Sequence, residues 1–374
     1  MKRYIDLFCG AGGLSLGLEQ AGFKVAFASD FDSICSNTYI KNRNLNPKKF
    51  FCGDIRFLNA SHNDLISSFR GIDLVAGGPP CQGFSMANRQ RVINDPRNVL
   101  YKEYLKFLKV VSPKFFIMEN VKGMLNKIDE IIEDFSTILG SEYNIAYSLF
   151  NVKDYGVPQN RERLIIIGNR IGISTEDIIN NIKSKSKYCP RFVLFDAIGN
   201  LPKLKPNRIK NNTSIENFDV GFFKVKFDYI RDNFYRFING NKDIDFLYNH
   251  KNRYNNDRDI EIYTRLPQGG NSLDPSISDI MPYTNRLDIF KDKYYKLKYD
   301  EICKTITSHM RFDCNMYIHP TQPRGLSPRE AARIQTFPDD YVFYGAQNLW
   351  YKQIGNAVPV KFAETIGKEV IKYL

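Results

Sequence analysis

No apolar run in this chain approaches the ~18 uninterrupted residues that a membrane-spanning helix needs. Met1-Lys2-Arg3 leads into a very short apolar stretch that Asp6 interrupts, so no secretory signal is expected. Seven cysteines are scattered at 9, 35, 52, 81, 189, 303 and 314 without a Cys-x-x-Cys pair. That scatter disfavours zinc and a disulfide framework, and suits reduced thiols in the cytoplasm. The four histidines, at 62, 250, 309 and 319, show no metal-ligand spacing, so no metal is expected. Internal repeats and low-complexity tracts are also missing. Acid is in deficit: 41 Asp and Glu face 53 Lys and Arg, for a net charge of +12 and a pI near 9.2. Such a balance points to a polyanion, most often nucleic acid, although an inert basic surface would have the same charge. The 374 residues are 43% apolar and 14% aromatic, enough for a real core in two or three domains or in one large domain with an insertion.

Against that background one stretch stands out, Gly77-Gly78-Pro79-Pro80-Cys81-Gln82-Gly83-Phe84-Ser85. The apolar run 72–76 before it reads as a short buried strand. Gly-Gly permits backbone angles closed to other residues, and Pro-Pro fixes φ twice on the approach to the sulfur. Residues 82–98 are polar, carry Arg89, Arg91 and Arg97, and lack helical periodicity. The pattern is a rigid strand end presenting a thiol, followed by a basic loop. A packed cysteine in a tight turn is the alternative; the Pro-Pro-Cys setting favours a nucleophile.

The chain opens with a strand over 4–8, a Cys9-Gly10-Ala11-Gly12-Gly13 turn, and a helix with Leu14, Leu18 and Ala21 on one face that Gly22 stops. This is how a nucleotide-binding α/β unit begins. A second strand, 24–29, ends in Asp30-Phe31-Asp32, about 20 residues past the glycines, where an acid accepts from ribose hydroxyls. Phe31 could lie on an adenine ring. Asp30 or Asp32 could instead cap the following helix. A third strand near 50–52 runs into Gly53-Asp54-Ile55, which suits an adenine edge or a plain turn.

A helix is expected over 100–111, then an apolar strand over 115–118 that terminates in Glu119-Asn120-Val121. A carboxyl at the end of a buried strand is costly without a role or a partner. Ligands sit at strand carboxyl ends in such sheets, which puts Cys81 and Glu119 at one rim. Gln159-Asn160-Arg161-Glu162-Arg163 then enters a strand over 164–168; if extended, Arg161 and Arg163 share a side, to orient Glu119, contact a substrate or join a structural ion-pair network.

From 170 to 322 the sequence turns polar and irregular. It holds 25 Lys and Arg against 19 Asp and Glu, half the net charge of the chain. Basic and aromatic residues alternate at 222–227 and 293–296, as phosphate contact with packing requires, although half-buried strands look the same. Short strands around a loop are expected between 304 and 320. Ser327 and Glu330 form a capping box with Pro328 at the first helical position, and Pro338 marks that helix's end. Residues 353–359 read as a tight polar turn. Phe362, Ile366 and Val370 mark a last helix, and the tail reads as closing on the first domain.

Together these stretches resemble the DNA cytosine-5 methyltransferase family of the bacterial restriction–modification type. The resemblance covers about residues 3–168 and 323–374, with the motifs in the family's order. It implies an α/β, doubly wound, Rossmann-like S-adenosylmethionine-dependent methyltransferase domain with a smaller, irregular, β-containing target recognition domain. The implied boundaries are 1–169, 170–322 and a C-terminal return over 323–374. It implies S-adenosylmethionine against Phe8, Gly10, Gly12, Gly13, Asp30, Phe31, Asp54, Ile55, Pro80, Leu100, Asn356 and Val358. Cys81 would be the nucleophile and Glu119 the group at cytosine N3, with Arg163 and Arg161 on the base's carbonyl oxygen. Double-stranded DNA would be held by Gln82, Ser85, Arg89, Arg91, Arg97, Thr305 and Arg311. The protein is expected as a cytoplasmic monomer, with a cognate restriction endonuclease acting separately. A transfer-RNA cytosine-5 methyltransferase shares the nucleophile motif, but the long basic region favours DNA. A dinucleotide-dependent oxidoreductase has no use for Pro-Pro-Cys or Glu-Asn-Val, and a silent DNA-binding protein would most simply lack Cys81 or Glu119.

Overall fold

The computed structural model describes residues 1–80, 100–210, 214–282 and 293–374. The chain runs β1 (Arg3–Leu7), α1 (Gly13–Gln20), β2 (Lys24–Asp30), α2 (Ser33–Arg43), β3 (Phe50–Cys52), α3 (Ile55–Ser61), α4 (Asn63–Ser67) and β4 (Leu74–Gly77). It continues through α5 (Leu100–Val111), β5 (Phe115–Val121), α6 (Ile128–Leu139), β6 (Asn144–Asn151), β7 (Gln159–Asn160), β8 (Glu162–Asn169), α7 (Thr175–Lys185), α8 (Leu194–Ile198), β9 (Gly221–Lys226) and α9 (Asn233–Asn239). It ends with β10 (Phe246–Lys251), α10 (Asp257–Arg265), β11 (Cys303–Lys304), α11 (Pro328–Ile334), α12 (Gln347–Asn356) and α13 (Val360–Val370). Among the described residues no helix is long and apolar enough to cross a membrane.

Two compact units divide the chain. The first holds Met1–Gly156, Arg161–Pro190 and Ala357–Leu374; the second holds Val157–Asn160 and Arg191–Asn356. This differs from the boundaries read in the sequence. Residues 170–190 stay with the first unit because α7 packs on β6 and β8. Residues 323–356 belong to the second, because α11 packs on β10 and α8.

The first unit is a seven-stranded sheet ordered β3-β2-β1-β4-β5-β8-β6. The strands β3, β2, β1, β4 and β5 are parallel, and β8 runs antiparallel to both of its neighbours. Alternation along the strands sends Ile5, Val75, Phe116 and Leu164 into one core with Tyr104 and Leu108 of α5 and Phe135 of α6. Tyr4, Ile117 and Ile165 are just as buried on the opposite face. There α13 lies against α1, and the Ala363 methyl would be 2.4 Å from a Cβ at Gly17, so only glycine admits the helix. The order reverses at β1 and β4, and their carboxyl ends open the crevice where ligands settle in this class of sheet.

The second unit carries a two-stranded ribbon, β9 with β10, and the short pair β7 with β11. Its centre is α11, every residue of which is buried. Ser327 caps it through the Glu330 N–H at 3.2 Å, and the Glu330 carboxylate accepts from the Ser327 N–H at 2.6 Å, as the capping box predicts. Glu330 also takes Arg324 at 2.6 and 2.8 Å, which holds its carboxyl well below the usual range. Arg333 forks onto Asp339 at 2.8 Å through two nitrogens. Three sequence expectations fail here. The helix ends at Ile334, before Pro338, where Thr336 turns left-handed at φ +58°. Residues 353–356 are the last turn of α12, not a turn of their own, and Gly355 serves close approach: a Cβ there would lie 2.2 Å from the Ser308 nitrogen. Between 304 and 320 a two-residue strand and two 3-10 turns replace the expected strands.

His250 Nε2 lies 2.8 Å from the Pro202 carbonyl, which can only accept, so Nε2 carries the proton and Nδ1 accepts from the Ser327 hydroxyl at 2.9 Å. Burial pulls His250 down to about 4 and His319 down to about 3. Both stay neutral in the folded protein, while an unfolded histidine takes a proton below about 6.5. Their contribution to stability is present above that value and is lost as pH falls towards their folded values. The destabilisation caused by His250→Gln should therefore be larger at pH 7.5 than at pH 5 in thermal unfolding followed by circular dichroism; a gap independent of pH would refute the neutral buried imidazole.

Candidate active site

The first unit gathers its polar groups at the carboxyl ends of β1, β2, β4 and β5. β5 continues through Val121 instead of stopping at Met118, so Glu119 sits within the strand and not after it. Pairing with β8 sets Glu119 opposite Ile165 and Val121 opposite Arg163. Arg163 is thus the diagonal neighbour of Glu119 on the same face. Its Nε meets Glu119 Oε1 at 2.7 Å, with both side chains nearly buried at 12% and 13% exposure. The Nε–H makes no well-aligned hydrogen bond, so the contact is an ion pair first. Nη1 donates to the Glu162 carbonyl at 2.7 Å and fixes the guanidinium plane. Burial pulls the Arg163 guanidinium below its ordinary range, and the Glu119 carboxylate opposes that.

The other oxygen, Oε2, faces the approach to residue 81. A Cβ on Gly78 would be 3.0 Å from it, so the segment passes close beside the carboxylate because it has no side chain there. Asn120 is buried and donates from Nδ2 to the Pro79 carbonyl at 2.9 Å, while its Oδ1 accepts from the Val121 N–H. Tyr104 lies within 3.1 Å of the Val75 and Ile117 carbonyls and bridges β4 to β5. Pro80 is half-buried at the end of this braced segment. Cys81, Gln82, Ser85, Arg89, Arg91 and Arg97 lie outside the described residues. Of the other cysteines, Cys9, Cys303 and Cys314 are buried thiols that burial pushes up, Cys303 to about 12. They are packing residues.

Arg161 lies just ahead of β8 and is buried; its Nη2 donates to the Ala357 carbonyl at 3.1 Å, and its own carbonyl accepts from the Val152 N–H. It braces the turn and the start of the last segment, whereas Arg163 pairs with Glu119.

The glycine turn is built with left-handed backbone at Phe8 (φ +57°), Gly10 (φ +53°) and Gly12 (φ +81°). Gly12 is the N-cap of α1, with Gly13 as its first residue. Asp30 Oδ2 accepts from the Gly10 N–H at 2.7 Å and Oδ1 from the Asp32 N–H at 2.8 Å. Asp32, not Asp30, caps α2 through Ile34 and Cys35. Phe31 is 81% exposed. Asp54 caps α3 through the Arg56 N–H and pairs with the Arg56 side chain, which holds its carboxyl below the usual range; Ile55 is buried. Leu100 packs on the core beside this rim and Val358 is buried in the same unit. Asn356 is an exposed end of α12 in the second unit.

Also in the second unit, the Thr305 hydroxyl donates to the Asn160 carbonyl at 2.6 Å. Arg253 donates to the Met310 and Phe312 carbonyls at 2.8 and 2.6 Å and staples that turn. Arg311 lies 4.3 Å over the Phe312 ring, and Phe312 is 58% exposed. Sequence reading gave no role to Asn120 or Arg253, because each acts through a backbone carbonyl, which leaves no residue-type signal.

A family model described as C-5 cytosine-specific DNA methylase matches residues 2–372. The type II methyltransferase M.MthTI of Methanothermobacter thermautotrophicus is 32% identical over 99% of this chain and 97% of its own length. M.FnuDI of Fusobacterium nucleatum is 33% identical over 98% of this chain and 94% of its own. Among solved structures, an Escherichia coli prophage protein described as a DNA modification methyltransferase superposes with a TM-score of 0.75 at 27% identity, covering 100% of this chain and 99% of its own.

Gly78→Ala places a methyl against a carboxylate that Arg163 already pins. Methyl transfer by this variant should fall about ten-fold or more, as small misplacements at a reacting centre do, with the thermal midpoint close to wild type; unchanged turnover would show that the close approach is incidental.

Proposed function

The chain belongs to the C-5 cytosine-specific DNA methylase family, and on that premise we propose that it methylates C5 of a cytosine flipped out of a specific duplex DNA sequence, with S-adenosylmethionine as the methyl donor. The observation that carries this reading is the Glu119–Arg163 pair set beside the braced Gly78-Pro79-Pro80 segment, one residue short of Cys81. The donor fits the residues present. Left-handed glycines bring backbone N–H groups to the mouth of α1, Asp30 has carboxylate lone pairs at the end of β2, and Phe31 exposes a flat ring beside it. When bound, S-adenosylmethionine supplies an electrophilic methyl group on a sulfonium.

Carbon 5 of cytosine is a poor nucleophile, and the chain's own groups change that. The Cys81 thiolate adds to C6 and makes the ring an enamine, splitting one hard step into easier ones. Glu119 hydrogen-bonds or protonates ring N3 as charge develops there. Arg163 orients Glu119, and the guanidinium edge away from it is the group we assign to the base's carbonyl oxygen. Arg161 acts by bracing the turn that carries Arg163. Once C5 has taken the methyl, loss of its proton to a base expels Cys81 and restores the ring. A cytosine stacked inside a duplex is closed to a protein nucleophile, so the base leaves the stack at a cost of roughly a few kcal/mol. The basic residues of 81–99 and of the second unit, including Arg311 and Thr305, hold and read the DNA. The enzyme acts as a cytoplasmic monomer, and a separate restriction endonuclease cuts unmodified copies of the same sequence.

The test is transfer of labelled methyl from S-adenosylmethionine to duplex DNA, with transfer RNA in parallel. Wild type should label DNA at cytosine C5, and Cys81→Ser should fall to background. Label confined to transfer RNA would reassign the substrate, and a labelling Cys81→Ser would remove Cys81 from its role.

A further inference from the structure

The glycine turn is held from two sides, by side chains of β2 and α2. Asp30 secures Gly10 from β2. The other hold comes from Arg43, the last residue of α2, whose side chain is 6% exposed. Its Nη2 donates to the Gly12 carbonyl at 3.0 Å. Its Nε is shared by both Glu19 oxygens at 3.0 Å, and its guanidinium lies 3.9 Å over the Tyr39 ring. Tyr39 is itself fixed, its hydroxyl 2.7 Å from Ser15 Oγ, which also bonds the buried Asp6. Three restraints of different kinds, ionic, cation–π and hydrogen-bonded, thus aim one cation at one carbonyl.

That carbonyl is the one from which α1 starts. It accepts the Leu16 N–H at 2.9 Å, the first bond of the helix. Gly12 has no side chain to cap α1 and stands at φ +81°. In a planar trans peptide the Gly13 N–H points opposite to the Gly12 carbonyl. Fixing the carbonyl towards Arg43 and Leu16 therefore fixes the Gly13 N–H outward, at the positive end of the helix. The fit is mutual: a Cβ at Gly12 would lie 2.8 Å from both Arg43 Nη1 and Tyr39 Cδ2.

We propose that Arg43 is a positioning residue for the methyl donor, holding the Gly12–Gly13 peptide in the orientation that the donor requires, with Glu19 and Tyr39 holding Arg43. The proposal rests on the reading that S-adenosylmethionine binds at this turn. It is tested on the full chain by equilibrium binding of labelled S-adenosylmethionine and by steady-state methyl transfer, in wild type, Arg43→Gln and Arg43→Lys. One lost charge-assisted hydrogen bond predicts about a ten-fold rise in Kd and in KM for the donor in Arg43→Gln. kcat at saturating donor should stay within about two-fold and KM for DNA should not move, since the lost contact serves donor binding alone. Arg43→Lys should recover part of the loss. A merely structural role would instead lower the active fraction at unchanged KM, and that result overturns the proposal. If Arg43→Gln does not fold, Glu19→Gln serves in its place, with a smaller rise in Kd as support and an unchanged Kd as refutation. A wild type that binds no S-adenosylmethionine overturns the donor reading and this proposal together, whereas tight wild-type binding matched by Arg43→Gln overturns this proposal alone.

Discussion

A carboxylate buried at the end of a central strand needs a cation, and at Glu119 the cation comes from a strand running the wrong way. β8 enters antiparallel between β5 and β6, so its first residues lie against the last residues of β5. A parallel strand in that place would have brought its far end there. The antiparallel insertion is what sets Arg163 diagonal to Glu119. Removing one member of such a nearly buried pair costs roughly 3–5 kcal/mol, far more than an exposed pair is worth. The rest of the rim is built on the fixed carboxylate: Gly78 passes beside it with no side chain, where a Cβ would lie 3.0 Å from Oε2, and Asn120, the residue after Glu119, ties Pro79. Two strands and a proline segment are thereby aligned on one side chain.

The glycine turn after β1 follows the same rule, with charge held by distant partners. Asp30 and Arg43, of opposite sign, grip the glycine turn at Gly10 and Gly12. Beneath it, burial pushes the Asp6 carboxyl up to about 7. The left-handed angles at Phe8, Gly10 and Gly12 are conformations that a free chain would seldom hold together, and these side chains over-determine them. In the proposed donor site, such rigidity leaves the backbone N–H groups in place for recognition without further ordering.

Local signals were legible in the sequence and long-range ones were not. The helix 100–111, the Ser327–Glu330 capping box and the apolar stripe of the last helix all depend on residues within a few positions of each other, and all stand where their periodicity put them. The polar stretch 353–356 misled because a glycine among polar residues usually marks a turn, whereas here Gly355 lies in a helix and makes room for the Ser308 backbone, 47 positions away in sequence numbering. The strand 115–118 reaches Val121 because pairing with β8 pays the burial of Glu119, a partner that no local window contains. Arg161 and Arg163 share a motif but not a task, since β8 begins between them. Arg43 carried no signal, because its meaning lies in Gly12, on another element.

The most direct test of this account is a double-mutant cycle on methyl transfer to duplex DNA, using Glu119→Gln, Arg163→Gln and the pair together. If the two residues form one unit, each single variant loses most of the kcat/KM, and the double variant is about as poor as the worse single, a strongly non-additive cycle. Additive losses, with each substitution multiplying the other, would show that Arg163 acts apart from Glu119 and would contradict the central role given to their contact.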